Sequence, residues 1–251
     1  MFKDYKVAVT GGTSGIGLAS VKKFLEEGAT VIAIGRNLTE VEKLGERCIP
    51  YYCDVTDDKQ IEAACDFIEQ TFNGELDTFL NAAGLGVGAT IRDITPEYFA
   101  YGINLLLRAP ILFGKRLYPM LLKAPKKNPS IVNIASSAGK TVAPENFLYN
   151  MAKTGHILYT KQQAAGFIGV RSNAICPGFI DTPIFTREGT NIPPEGIPAL
   201  YEQVSAITPM HRVAQPWEVA ELVAFLASED AMYINGADIV IDGGILGMVS
   251  G

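Results

Sequence analysis

Tyr149 and Lys153, in the stretch YNMAK, place a phenol and an ammonium four residues apart among good helix formers. On a helix, positions i and i+4 share a face with Cβ atoms about 6 Å apart, so a lysine there acts directly on the phenol oxygen. The chemistry that uses such a pair is proton transfer. A tyrosine with its ordinary pKa near 10 is a weak base, and a neighbouring cation favours its anion. A phenol assisted in this way can take a proton from a hydroxyl group, or return it in the reverse direction. Taken alone, the spacing fits a solvated Tyr and Lys equally well, so the elements around it must decide.

Those elements alternate. Short apolar segments near residues 6–10, 30–34, 49–53, 77–81, 130–135, 171–176 and 238–241 read as strands, and amphipathic stretches between them read as helices. The strands lack polar alternation, as expected when helices cover both faces of a parallel sheet. Strict βα alternation with right-handed crossovers implies a single α/β domain, a doubly wound parallel sheet of seven strands. The longest helical region runs from about residue 96 to 123, with Pro96 at its start and a kink or a break expected at Pro110. Residues 182–215 (TPIF, NIPPEGIP, ITPM) break the alternation and are expected to form a lid.

Bulk properties exclude several classes. A chain of 251 residues with a net charge of −6 suits neither a nucleic-acid surface nor an anionic membrane, and no apolar run is long enough to span a bilayer. The start MFKDYKVAVTGG enters a strand at once, with no leader pattern, so a soluble cytoplasmic protein is expected. Cys48, Cys53, Cys65 and Cys176 form no CxxC pair, and His156 and His211 lie far apart, so no metal site is expected and the thiols read as reduced.

The first strand runs into TGGTSGIG, residues 10–17, and then into a helix. Glycines there let backbone N–H groups approach a pyrophosphate at a helix N-terminus. The spacing of Gly11, Gly15 and Gly17 is GxxxGxG, not GxGxxG. It resembles the TGxxxGIG motif of the short-chain dehydrogenases/reductases, and the likeness extends along the chain through CDVT, NAAG, YNMAK, ICPGFIDT and IDGG in the family's order. The resemblance implies a Rossmann fold, a nicotinamide dinucleotide cofactor, and a homodimer or homotetramer with the last strand and the tail GILGMVSG as candidate interface.

By the same resemblance, the loop residues Thr13, Ser14 and Ile16 would join the three glycines around the pyrophosphate, Asp54 and Val55 would take the adenine, and Asn81, Ala82 and Gly84 would line the adenosine side. Ala82 departs from the family's second asparagine. The backbone from Pro177 through Gly178 to Ile180, with Thr182, would hold the carboxamide. The second strand ends AIGRN, offering Arg36 and Asn37 where an NAD-selective site presents a carboxylate. A guanidinium pairs with a 2′-phosphate as a bidentate fork, so NADP(H) is expected over NAD(H).

For the chemistry, the resemblance implies a serine at the end of the fifth strand, thirteen residues before the tyrosine. Ser136 in NIASSAG has that spacing, and Ser137 beside it faces the other side of a strand. Asn104 in GINLLLRAP matches the family asparagine whose carbonyl holds a water near the lysine. His156 and His211 are read as ordinary histidines, and Trp217 as packing or interface. The expected activity is NADP(H)-preferring interconversion of a secondary alcohol and a ketone of steroid, bile-acid, acyl or similar type. A non-catalytic dinucleotide sensor or scaffold of the same fold is the rival, with a sugar epimerase disfavoured by the short carboxy-terminal region.

Overall fold

The computed structural model describes residues 1–187, 190 and 192–249. Its strands are β1 Lys6–Thr10, β2 Thr30–Gly35, β3 Cys48–Tyr52, β4 Thr78–Asn81, β5 Ser130–Ile134, β6 Arg171–Pro177 and β7 Asp238–Ile241. Each lies within one residue of its expected bounds. All pair in parallel in the order β3-β2-β1-β4-β5-β6-β7. The chain winds outward from β1 to β3 and then crosses to β4, so the order reverses between β1 and β4. Beyond the carboxyl ends of these two strands a crevice must open.

The helices are α1 Gly15–Glu26, α2 Asp58–Thr71, α3 Pro96–Ile103, α4 Ala109–Leu121, α5 Phe147–Gly166, α6 Ile197–Ile207, α7 Pro216–Ala227 and α8 Ile245–Val249. One sheet face sends Val7, Val9, Val31, Ala33 and Leu80 against Val21 and Phe24 of α1 and Val219 and Val223 of α7. The other sends Ala8, Ile32, Ile34 and Phe79 against Ile61 and Ile68 of α2, Phe113 and Leu117 of α4, and Leu148 of α5. Consecutive strand residues therefore both meet apolar partners, which is why no polar alternation is seen.

The expected kink at Pro110 is displaced. Residues Asn104–Arg108 form a π-helical turn between α3 and α4, and the Ala109 N–H reaches back to the Asn104 carbonyl. Pro110 has no N–H to give to Leu106, so the chain widens one turn earlier and Pro110 falls in the first turn of α4, where none is needed.

The excursion after β6 is more ordered than a loop. It holds short 3₁₀ turns at Pro183–Phe185 and Pro194–Gly196 and then α6. Its base is stitched: Asp181 N–H donates to the Ala214 carbonyl at 2.8 Å, and the Asp181 carboxylate accepts from the Tyr201 hydroxyl at 2.6 Å and from Gln215 Nε2 at 3.3 Å. Of the expected lid, residues 188, 189 and 191 lie outside the described set, as do 250 and 251 of the expected interface.

Candidate active site

The crevice at the β1/β4 switch point is a cleft of about 630 Å³. At its floor the chain leaves β1 through Gly11, in the left-handed region at φ +66°, where a Cβ would stand 2.6 Å from the Ala82 carbonyl oxygen. A Cβ on Gly17 would stand 2.1 Å from the Gly11 carbonyl oxygen. Neither position admits a side chain, and the bare backbone brings the α1 N-terminus to the cleft wall. Ser14, the N-cap, makes no side-chain capping bond, and no acidic residue lies in the first turn. The first-turn N–H donors thus lack a side-chain partner, and they are the groups that bind phosphate at helix N-termini. This arrangement fits a pyrophosphate.

Arg36 follows β2 at one end of the cleft, with Nη1 3.9 Å from Asp54 Oδ2. Asp54 Oδ1 accepts from the Thr56 N–H at 2.9 Å and its hydroxyl at 2.8 Å. The cap of α2 is Asp57, accepting from the N–H groups of Lys59 and Gln60, so Asp54 is free of helix capping and stands in the cleft wall with Val55. Asn37, Thr13, Ile16, Ala82 and Gly84 line the same cleft, as do Pro177, Gly178, Ile180 and Thr182 on its far wall.

At the other end, Ser136 stands two residues beyond β5 and lines the cleft with Tyr149, whose phenol its hydroxyl adjoins. The Ser136 oxygen also accepts from the Ala138 N–H at 3.1 Å. Ser137 lines the cleft as well, but it is the Ser136 hydroxyl that adjoins the Tyr149 phenol. One turn along α5, Lys153 is buried, with Nζ donating to the Ile134 carbonyl at 2.8 Å and standing 5.8 Å from the centre of the Tyr149 ring. Burial pushes the Lys153 ammonium down to about 8. Burial also raises the Tyr149 phenol above its usual 10, against the opposing effect of the Ser136 hydroxyl. In the protein alone burial prevails, and the phenol holds its proton at neutral pH.

Two expected residues stand away from the cleft. Asn81 is buried, accepting from Thr10 Oγ1 at 3.0 Å and donating to Asn133 Oδ1 at 3.4 Å. As the last residue of β4 it ties β1, β4 and β5 together beneath the cleft, whose wall there is Ala82, Ala83 and Gly84. Asn104 opens the π-helical turn, and from this stretch it is Tyr101 and Leu105 that reach the cleft. The Asn104 carbonyl accepts from Ala109 and retains a second lone pair for a further donor.

Sequence reasoning missed the apolar lining of the chemistry end, Leu85, Val87, Tyr101, Phe179, Ile184 and Phe185. Phe179 and Phe185 stack at 6.0 Å between ring centres. Most of these residues sit on connecting segments, where no period marks which side chains turn inward. It also missed Arg187, the first basic residue of the excursion, which lines the cleft.

His156, one turn beyond Lys153, is buried with neither ring nitrogen bonded to a protein group. Burial, and then the Lys153 charge, hold its pKa well below 6.5. Below pH 6.5 the unfolded chain takes up a proton that the folded protein refuses, so stability falls as pH drops, by up to about 1.4 kcal/mol per unit. Urea melts at pH 7 and pH 5.5 should show this loss in the wild type and a smaller one in His156→Leu.

Residues 11–246 match the family model described as enoyl-(acyl carrier protein) reductase. The chain is 33% identical over 247 residues to the 3-oxoacyl-(acyl-carrier-protein) reductase FabG of Thermotoga maritima, covering 95% of this chain and 96% of that protein. Among solved structures it is similar to a short-chain dehydrogenase/reductase of unknown function from Caenorhabditis elegans with cofactor, at 27% identity and a TM-score of 0.89, covering 98% of this chain and 96% of that one. It is also similar to an actinorhodin polyketide ketoreductase variant with NADPH, at 26% identity and a TM-score of 0.85, covering 96% and 97%. Fold and relatives together define an oxidoreductase that works with a nicotinamide dinucleotide on CH–OH or carbonyl groups. The chain belongs to the short-chain dehydrogenase/reductase family. Among the described residues no helix is long and apolar enough to cross a membrane.

Proposed function

We propose that this enzyme reduces a ketone to a secondary alcohol, and reverses the reaction, with NADP(H) preferred over NAD(H). The observation that carries the reading is the convergence of Ser136, Tyr149 and the buried Lys153 on the cleft that the glycine turn and Arg36 also line. When bound, the cofactor supplies or accepts the hydride. The glycine turn and the first N–H groups of α1 would hold its pyrophosphate, Asp54 and Val55 its adenine, and the stretch from Pro177 to Thr182 its carboxamide. Ser136 donates a hydrogen bond to the substrate oxygen, and Tyr149 gives that oxygen a proton in reduction and removes it in oxidation. Lys153 holds positive charge behind the phenol and lowers the cost of its anion.

The chemistry end supports an uncharged, largely apolar substrate of steroid, bile-acid or acyl type. Beyond Lys153, the side chains around Ser136 and Tyr149 there are neutral, and most are apolar or aromatic. The excursion at 182–215 acts as the lid over it. Exposed Trp217, Met232 and Tyr233 support a dimer or tetramer that uses the β7 side. A panel of neutral ketones followed by loss of NADPH absorbance tests the activity, and failure to turn over any of them while the dinucleotide binds would favour a sensor.

Cofactor choice has its own test. Arg36→Asp removes the phosphate fork and adds a carboxylate near Asp54, which repels a 2′-phosphate and accepts from a 2′-hydroxyl. The kcat/KM ratio for NADPH over NADH should move toward NADH by at least about tenfold. An unchanged ratio would refute the role of Arg36.

A further inference from the structure

The lid carries a charge that the proposed chemistry does not use. Its first strides cross the glycine turn: Thr182 Cγ2 lies 3.1 Å from where a Cβ on Gly15 would stand, with the Pro183 ring at 3.9 Å. After the 3₁₀ turn Pro183–Phe185 the chain comes down again on the loop after β4, where Thr190 Cγ2 lies 2.6 Å from the position of a Gly86 Cβ. Arg187 falls between these two anchor points and lines the cleft. Arg36 reaches the same region from below, leaving β2 just after Gly35, whose Cβ would meet Thr13 of the glycine turn at 2.4 Å.

Two guanidiniums from elements far apart in sequence therefore flank one turn. After burial, the influence on Arg187 is the charge of Arg36, which disfavours its cation. The carboxylate near the pair is Asp54, 3.9 Å from Arg36. Both guanidiniums line the same cleft, and a dianionic group bound between them would meet both charges. A phosphomonoester carries about −1.5 to −2 charges at neutral pH and three strong acceptor oxygens, enough for two bidentate forks.

We propose that Arg187 is a second phosphate-recognising residue, which joins Arg36 in gripping a phosphomonoester on the adenosine ribose, so that the lid itself carries part of the cofactor selectivity. The proposal rests on the NADP(H) reading above. An adenosine with a free 2′-hydroxyl offers the two guanidiniums no anion to pair, so the pair favours its phosphorylated counterpart.

The test uses two adenylates that differ only in the 2′-phosphate, adenosine 2′,5′-bisphosphate and adenosine 5′-monophosphate. They are titrated calorimetrically into the full-length wild type and the variants Arg36→Gln, Arg187→Gln and Arg187→Lys. In the wild type the bisphosphate should bind more tightly. Arg187→Gln should weaken the bisphosphate by about tenfold or more and leave the monophosphate unchanged, with Arg187→Lys recovering part of the loss because it restores charge without the fork. If Arg36→Gln weakens the bisphosphate and Arg187→Gln does not, the lid arginine has no such role, while the NADP(H) reading stands. Equal weakening of both adenylates by Arg187→Gln also overturns the proposal, since the residue then acts on the shared 5′-phosphate or on the fold. A wild type that fails to tell the two adenylates apart sinks the NADP(H) reading, and the lid proposal with it.

Discussion

Tyr149→Phe is expected to lower kcat for ketone reduction by about 10²- to 10⁴-fold while the affinity for NADPH changes little. The substitution deletes one oxygen. The ring stays packed against the core beneath the cleft, beside Leu148 and Ala152 of the same helix, so the fold is retained. What is lost is the proton donor to the substrate oxygen, beside Ser136 in the cleft. The pH profile gives an independent readout. Burial holds the phenol above its usual 10, so it is protonated throughout the neutral range. Reduction needs that proton and the Lys153 charge behind it, and should run level across neutral pH and decline above about 8, where the ammonium is lost. Oxidation needs the phenolate and should climb as pH rises. Both dependences should vanish from the residual activity of Tyr149→Phe. A variant that keeps near-normal kcat would mean that another group moves the proton.

Much of this architecture is legible in the chain because its signals are local. A strand covered on both faces needs an unbroken apolar run, and KVAVT or SIVNI can be little else. The glycine turn is legible because Gly11 and Gly17 meet backbone, where no side chain fits. Asn81 shows where such legibility ends: its type and position are plain, but its direction depends on Thr10 and Asn133, which arrive from other strands. The displaced kink has the same origin, since Pro110 signals a missing donor without saying on which side the helix will widen. The lid defeats pattern reading because Pro193, Pro194 and Pro198 interrupt any helical period just where α6 begins. Arg187 becomes informative only once the chain has doubled back over the glycine turn and brought it to the same cleft as Arg36.

Burial also explains why the phenol and the ammonium shift in opposite directions, each toward its neutral form. The site therefore stores an electrostatic cost, and Lys153→Met should separate that cost from function. Lys153 is buried, and its ammonium donates a hydrogen bond to the Ile134 carbonyl. Holding the ammonium charged at pH 7, with its pKa near 8 against 10.5 in the unfolded chain, costs on the order of 3 kcal/mol. Methionine fills nearly the same space without charge and forfeits one hydrogen bond worth about 1 kcal/mol. Lys153→Met should thus melt no lower than the wild type at pH 7, and its advantage should shrink as pH rises from 8 toward 10.5, because the folded wild type sheds the proton before the unfolded chain does. Its activity should nevertheless fall by about 10²-fold or more, since the phenolate loses the cation behind it. A variant that melts far lower and loses activity in proportion would make Lys153 a structural residue. A variant that is stable and fully active would remove it from the chemistry.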